Sequence, residues 1–478
     1  MKNNLVLVTG VTGHVGGRLV PRLLQAGYQV RVLVRDRNRL HGHNWLDQVE
    51  VAEGDALVHD SLHKALSGVA SAYYLIHSMK GNADHVQHDL QAARNFGNAA
   101  RHNGIERIIY LGGLGDPETD LAKHLRSRHT TGQVLKESGV PVTEFRTAIV
   151  VGAGSISFEM IRYLTERVPV MICPFRLSVR VQPIATRDVL DYLVAALRTP
   201  ESEGRIIEIG GPDVLCYGDI MSEYARRRGL RRWLVSIPVI NPRLSAIGVQ
   251  LLTPIPASIA HPLIEGLRNE VIVREPLARE LFPHLTPMDY KTAVSLALAD
   301  SEKHPLESSW SQGEVIPVAR SSQQGMIIER RQRVVPTSPA MLFKLISQLG
   351  GQNGWLYLNW AWHLRGWLDR LVGGVGMRNG WRDPDVVQVG EVIDFWRVEA
   401  VEPDKRLLLR AELKFPGRAW LQFETYPYAQ GQTRLVQTSF FAPKGLSGLA
   451  YYYLFYPIHG LVFAGLMRNL AKKGVIGN

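Results

Sequence analysis

The stretch Leu5-Val-Leu-Val-Thr-Gly10-Val-Thr-Gly13-His-Val-Gly16-Gly17 constrains this chain more than any other. Its short branched apolar run reads as a strand buried on both faces of a parallel sheet. The run stops at Gly10, and Val15, Leu19, Val20, Leu23 and Leu24 then recur at helical spacing. The turn therefore lifts the chain from strand to helix. Gly10 would permit the sharp turn, Gly13 would let a pyrophosphate approach the backbone, and Gly16 would let helix and strand pack closely. Free N–H groups around Thr12, Gly13, His14, Val15 and Gly16 would face the phosphates, helped by the helix dipole.

Five more strand signals come after it. Gln29–Arg35, Val49–Asp55, Ala72–His77, Arg107–Gly112 and the run opening at Val142 alternate with helical patterns around 59–67, 84–103 and 121–138. Strands alternating with helices mean βαβ units and a doubly wound parallel sheet, so the fold class is α/β. Ligands of such sheets lie beyond the carboxyl ends of the strands. That places Gly10–Gly16, Arg35, Asp36, Asp55, Ala56, Ile76, His77, Ser78 and Gly112 at the expected cofactor site.

The spacing T-G-x-x-G-x-x-G at Thr9–Gly16 resembles the short-chain dehydrogenase/reductase superfamily and implies a Rossmann domain for NAD(P). Asp55 in Gly54-Asp55-Ala56 is similar to the acidic residue this family sets near the adenine amino group. At the end of strand two, Arg35 precedes Asp36, Arg37 and Arg39. A planar guanidinium suits a 2′-phosphate, so NADP(H) is favoured over NAD(H).

The family's reductases carry Y-x-x-x-K on the helix after strand five. Here His124 stands where the tyrosine belongs and Arg128 where the lysine belongs, and Gly112-Gly113 replaces the strand-five serine. This pattern resembles the atypical short-chain dehydrogenases, the group that includes the nitrogen-metabolite-repression regulator. Arg128 would hold a ribose or phosphate with a fixed charge. His124 would act as an acid near neutral pH. Beyond the sixth strand, Val181–Val189 and Gly204–Pro212 resemble the substrate lobe of extended members. Residues 238–290, with Pro238, Pro242, Pro254, Pro256 and Pro262, suit the wall of an apolar pocket.

Residues 301–325 lose all periodicity and read as a linker. The remaining C-terminal part differs in character, with seven of the ten tryptophans. A strand at Met326–Val335, a short helix opening at Ser338-Pro339, strand-like runs at Gly390–Ala400, Arg406–Leu413, Ala419–Tyr426 and Thr433–Phe441, and a long apolar helix from Leu449 to about Lys472 resemble the α+β helix-grip fold of the START-like superfamily. Trp367-Leu-Asp369-Arg370 and Asp394-Phe-Trp396-Arg397 resemble a domain of unknown function appended to atypical short-chain dehydrogenases. The expected domains are 1–300 (nucleotide core about 1–155, substrate lobe about 156–300) and 326–478, a hydrophobic-ligand domain.

Charge and composition narrow the partners. The net charge is +11, and residues 326–478 hold 19 Lys/Arg against 11 Asp/Glu. These charges are scattered rather than clustered, and Trp355, Trp360, Trp362 and Trp367 read as core and cavity lining, so no nucleic-acid partner is expected. Leu446–Met467 lacks Asp, Glu, Lys and Arg and is followed by Arg468, Lys472 and Lys473, which leaves peripheral membrane contact open. His59/His63 and His85/His88 are helical pairs without a third ligand, so no metal is expected. Two cysteines, Cys173 and Cys216, without ligand spacing, and no signal-peptide pattern at the first strand, point to the cytoplasm. Two functions remain: an NADP(H)-dependent oxidoreductase of an apolar small molecule, or a non-catalytic NAD(P)(H) sensor or hydrophobic-ligand carrier.

Overall fold

The computed structural model describes residues 4–40, 43–77, 83–174, 179–237, 253, 257–303, 318–323, 325–377 and 387–476. They fall into two compact units, divided between Gly313 and Glu314.

The first unit opens with β1 (Leu5–Val8), α1 (His14–Gln25), β2 (Gln29–Val34), β3 (Glu50–Glu53), α2 (His59–Leu66), β4 (Ser71–Tyr74), α3 (Ala83–His102), β5 (Arg107–Gly113), α4 (Lys123–Glu137) and β6 (Val142–Thr147). Short strands β7 (Val150–Val151), β8 (Val170–Pro174), β9 (Arg180–Val181) and β10 (Ile184–Ala185) come next, with α5 (Ile156–Arg167) between β7 and β8. The unit continues with α6 (Thr186–Ala196), β11 (Ile206–Ile209), β12 (Leu215–Cys216), α7 (Tyr217–Arg228), β13 (Trp233–Ile237), α8 (Ala257–Gly266), α9 (Leu277–Leu281) and α10 (Tyr290–Lys303).

Seven of these strands form one sheet in the order β11-β6-β5-β4-β1-β2-β3, all parallel. Each face carries its own apolar layer. Leu19, Val20 and Leu23 of α1 join Val189 and Leu193 of α6 on one side. Leu62 and Leu66 of α2, Phe96 of α3 and Leu135 of α4 fill the other. Strands sandwiched this way need apolar residues at every position, and β1 is buried throughout.

Strands two, three and four stop earlier than their sequence signals do. They end at Val34, Glu53 and Tyr74 rather than Arg35, Asp55 and His77. The reason is visible at β4: Thr9 Oγ1 donates to the Tyr73 carbonyl at 3.0 Å and accepts the Leu75 N–H at 3.0 Å. A side chain takes over from the ladder, and the chain is free to turn. Arg35, Asp55, Ile76 and His77 therefore lie in loops at the carboxyl edge. A third apolar cluster, with Leu121 just before α4, Leu125 of α4, Phe158 of α5 and Tyr217, Ile220 and Tyr224 of α7, makes a lobe over that edge.

The second unit is an antiparallel sheet of β14 (Val318–Gln323), β15 (Met326–Val335), β16 (Val392–Ile393), β17 (Trp396–Glu402), β18 (Arg406–Ala411), β19 (Gly417–Ala429) and β20 (Gln432–Pro443), ordered β14-β15-β20-β19-β18-β17-β16. Helices α11 (Pro339–Ser347), α12 (Asn359–Leu371) and α13 (Gly445–Ile476) accompany it. Ser338 Oγ accepts the Met341 N–H and caps α11, with Pro339 in its first turn. The polar stretch 301–325, read as a linker, begins as the end of α10 and includes β14, which pairs with β15 along its whole length. A polar edge strand carries no apolar signal of its own; the hairpin with β15 supplies it.

Inside the second unit Trp355 and Trp362 are buried and stacked at 4.7 Å, with Phe395 and Trp396 beside them. Trp360 and Trp367 are not core: they are 64% and 57% exposed on α12. By length and composition α13 is sufficient to cross a membrane, and only 22% of its most apolar stretch is buried.

Candidate functional site

The turn after β1 is shaped by two glycines that no other residue replaces. Gly10 has φ +67°, and a Cβ there would lie 2.4 Å from the Leu75 carbonyl oxygen. A Cβ on Gly16 would lie 2.4 Å from the Gly10 oxygen, so α1 and the turn touch backbone to backbone. Gly13, by contrast, is exposed and forms the uncapped N-terminus of α1. The first bond of the helix runs from the Gly17 N–H to the Gly13 oxygen. The N–H groups of His14, Val15 and Gly16 precede it, with no acidic side chain in that turn to take them. The cradle fits a diphosphate: the amides of His14, Val15 and Gly16 have no partner among the described residues, and Gly10 and Gly16 let turn and helix close into the shape that presents them.

These residues open on a cavity of about 920 Å³. Its walls come from the carboxyl ends of β4 (Leu75, Ile76, His77), β5 (Leu111, Gly113) and β6 (Thr147), the first turns of α4, and α8. Such a volume suits a dinucleotide end and a substrate together.

His14 lines the cavity, yet its ring is engaged. Nε2 pairs with Thr186 Oγ1 at 2.8 Å and Nδ1 with Arg18 at 3.0 Å. Burial first, then the Arg18 charge, pushes its pKa down to about 3, so His14 contributes its backbone and a neutral ring. Arg18 also donates to the Ala153 carbonyl, tying α1 to the lobe.

Arg128 is the central charge. It projects from α4 into the wall, donates from Nη1 to the Gly112 oxygen at 3.2 Å, and has no carboxylate within 4 Å among the described residues. Burial lowers its pKa from the ordinary arginine value while Tyr110 and Asp89 oppose that; arginine stays a cation. Gly113 leaves it room, since a Cβ there would stand 3.2 Å from Arg128 Cδ. Tyr110 anchors the helix by donating to the Arg128 carbonyl at 2.9 Å.

His124 lies one turn earlier. Its Nδ1 is buried without a partner among the described residues, and Gly266 of α8 approaches so closely that a Cβ would meet Cε1 at 2.5 Å. Burial, then the Arg128 charge, holds its pKa down at about 4. The expectation of an acid near neutrality is thereby corrected: His124 is a neutral imidazole at pH 7. His77 sits 3.7 Å from Asp89, and burial, with Arg128 and His124, places its pKa well below the ordinary value. Two neutral rings thus surround one guanidinium.

The remaining expected cofactor residues are dispersed along the edge. Thr12 is exposed; Arg35 and Asp36 are exposed at the end of β2, the strand beside β1. Asp55 Oδ1 accepts the Leu57 N–H at 3.0 Å, closing its own turn. Ala56 is buried, its carbonyl accepting from Asn95. Gly112 is covered and works through its carbonyl. Ser78 lies outside the described residues, as do Pro238, Pro242, Pro254 and Pro256. His59 and His63 face each other at 3.3 Å, with no group of three metal-ligating side chains among the described residues.

The motif gave no sign of Tyr217, His261 and Glu265, which also line the cavity. Burial raises the Tyr217 pKa above its ordinary value, so its phenol keeps its proton.

A parallel sheet with glycine-cradled amides and a cationic helix over the carboxyl edge defines an NAD(P)-binding Rossmann protein of the atypical short-chain dehydrogenase/reductase type. The chain belongs to the NmrA-like family, which it matches over residues 2–265. Residues 326–466 match a domain family of unknown function, DUF2867. Among curated proteins, the chain is 27% identical to a ceramide reductase of Caulobacter vibrioides over 311 residues, 63% of this chain and 93% of the relative. It is 28% identical over 232 residues to a (4-alkanoyl-5-oxo-2,5-dihydrofuran-3-yl)methyl phosphate reductase of Streptomyces griseus, 47% of this chain and 74% of that protein. Among solved structures, the triphenylmethane reductase of Citrobacter sp. in complex with NADP(H) superposes with a TM-score of 0.50 at 20% identity, covering 61% of this chain and 99% of the other.

Proposed function

We propose that the chain is an NADP(H)-dependent reductase of an apolar carbonyl or conjugated alkene. The observation that carries this reading is Arg128: a cation in the cavity wall, with no carboxylate within 4 Å among the described residues, in the same cavity as the glycine cradle. A group so placed stabilises negative charge developing on a substrate oxygen. The dinucleotide, when bound, supplies hydride. The amides of His14, Val15 and Gly16 hold its diphosphate, and Arg35 meets a 2′-phosphate. Arg128 holds the ribose or polarises the reacting oxygen, while His124 offers a neutral N–H. The proton comes from solvent, with His124 beside it as a neutral hydrogen-bonding ring. The similar (4-alkanoyl-5-oxo-2,5-dihydrofuran-3-yl)methyl phosphate reductase names an alkanoyl group in its substrate, which supports a substrate with an apolar chain here. NADPH chemistry and a free Cys216 thiol suit the cytoplasm.

Oxidation of NADPH on a panel of long-chain ketones, aldehydes and enones tests the reading. Turnover that Arg128→Met abolishes supports it; tight NADPH binding with no turnover on any member of the panel rejects it.

The second unit favours a second reading, a hydrophobic-ligand carrier of helix-grip type. Gln437 is fully buried with neither polar atom of its amide partnered among the described residues, and it pairs in register with Arg331. Arg331 lies over the Phe463 ring of α13. A polar-headed apolar ligand between sheet and helix would satisfy both. Mass spectrometry of small molecules that copurify with the chain distinguishes this role from an empty structural domain.

A further inference from the structure

The second unit turns apolar side chains outward on two helices. On α12, Trp360, Leu364, Trp367, Leu368 and Leu371 are exposed at helical spacing, while Trp362, Gly366 and Asp369 are buried. On α13, Leu446, Tyr453, Leu454, Ile458 and Leu461 are exposed along one stripe, with Leu454 at 73%. The helices are neighbours running in opposite directions. Asn469 donates to the Leu356 carbonyl just before α12, Trp362 packs on Phe463, and Arg365 lies over Tyr451. Soluble surfaces scatter single apolar residues; two such stripes on adjacent helices are a docking face.

Charge says what covers it. No Asp or Glu occurs anywhere in α13. The one carboxylate of α12, Asp369, is buried and accepts the N–H groups of Gly376 and Lys414. The exposed charges on these helices are Arg370, Arg468, Lys472 and Lys473. A second copy laid on this face would set those cations against their own kind with no carboxylate to pair. Tryptophan and tyrosine among leucines, rimmed by arginine and lysine and free of acids, are what a headgroup layer takes up.

We propose that the outer faces of α12 and α13 dock the second unit on an anionic lipid surface. Trp360, Trp367 and Tyr453 enter the headgroup region, Leu364, Leu368, Leu371, Leu454 and Leu461 reach the acyl boundary, and Arg370, Arg468 and Lys472 meet the lipid phosphates. Helix α13 lies along the surface, because its other side belongs to the core through Val462, Leu466, Met467 and Leu470. This holds whether or not the first unit's cavity carries out a reduction.

The test is cosedimentation of the full chain with vesicles containing phosphatidylglycerol and with vesicles of phosphatidylcholine alone. The chain is expected on the anionic vesicles, to be released by alkaline carbonate, and to bind phosphatidylcholine roughly tenfold or more weakly. Trp367→Ser with Leu371→Ser is expected to reduce binding by about tenfold or more, with its melting temperature kept as the check on folding. Arg370→Glu with Lys472→Glu, two exposed changes, is expected to do the same and to remove the salt dependence. Failure to sediment with either vesicle overturns the proposal. So does unchanged binding by both double variants, retention after carbonate, or self-association that Trp367→Ser with Leu371→Ser abolishes in a chain that ignores vesicles.

Discussion

The two units place cations and apolar surface in opposite ways. In the first, the apolar faces of α1 and α6 are covered by the sheet, and Arg128 looks inward on a cavity. In the second, the interior is filled by stacked tryptophans, while α12 and α13 carry leucines and cations outward. A cation with no carboxylate in contact among the described residues attracts an anionic group. Turned inward it calls for one molecule of defined shape; turned outward it calls for a surface.

Removing the inward charge is the strongest way to break this contrast. Arg128→Met should lower kcat by roughly 100- to 1,000-fold while NADPH still binds, read by turnover beside calorimetry. A loss confined to NADPH affinity would make Arg128 a cofactor ligand only. Gly13→Ala should weaken both dinucleotides by about tenfold or more with a smaller loss of melting temperature than Gly10→Ala, since its Cβ meets the Gly10 oxygen at 3.1 Å and its φ is not left-handed. Gly10→Ala should instead destabilise the fold itself, by roughly 1–3 kcal/mol, because its left-handed φ and the Leu75 oxygen both forbid a Cβ. Equal behaviour of the two variants would remove the distinction between cradle and hinge.

Smaller effects sharpen the picture. Arg35→Ala should cost NADPH roughly ten- to a hundredfold and NADH about twofold or less, because only NADPH carries the phosphate. Acid should expose the neutral rings. His124 is held at about 4 against 6.5 when unfolded, so the unfolded chain binds more protons between those values. Its contribution to stability is complete above about pH 6.5 and is lost as the pH falls towards 4. His124→Gln should flatten the acid limb of a melting-temperature profile; an unaltered limb would place the burial elsewhere.

Most of the first unit was legible in the chain, because buried parallel strands and amphipathic helices write their period directly into Leu5–Val8, Leu19–Leu24 and Arg107–Gly113. The glycine turn was legible for the same local reason. The cavity's far wall was legible only in part: residues 238–290 read as the wall of an apolar pocket, and Pro262 and Leu263 of α8 do line the cavity. Tyr217 and His261 come from segments distant in sequence, and no local pattern says that they face the β4 and β5 ends. Nor does composition tell a buried tryptophan from an exposed one: Trp360 and Trp362 are two residues apart and point to opposite sides of α12. The state of His124 was equally hidden, since its low pKa comes from α8 closing over it and from Arg128.

The glycine beside Arg128 carries a lesson for anyone wishing to convert this site to the tyrosine–lysine chemistry it resembles. The absent serine and the arginine are a single exchange, not two: flesh on the strand and bulk on the helix compete for one small volume. A side chain at Gly113 presses on the Arg128 stem and on Leu125 at 3.2 Å, so a conversion is eased by trading strand and helix residues together.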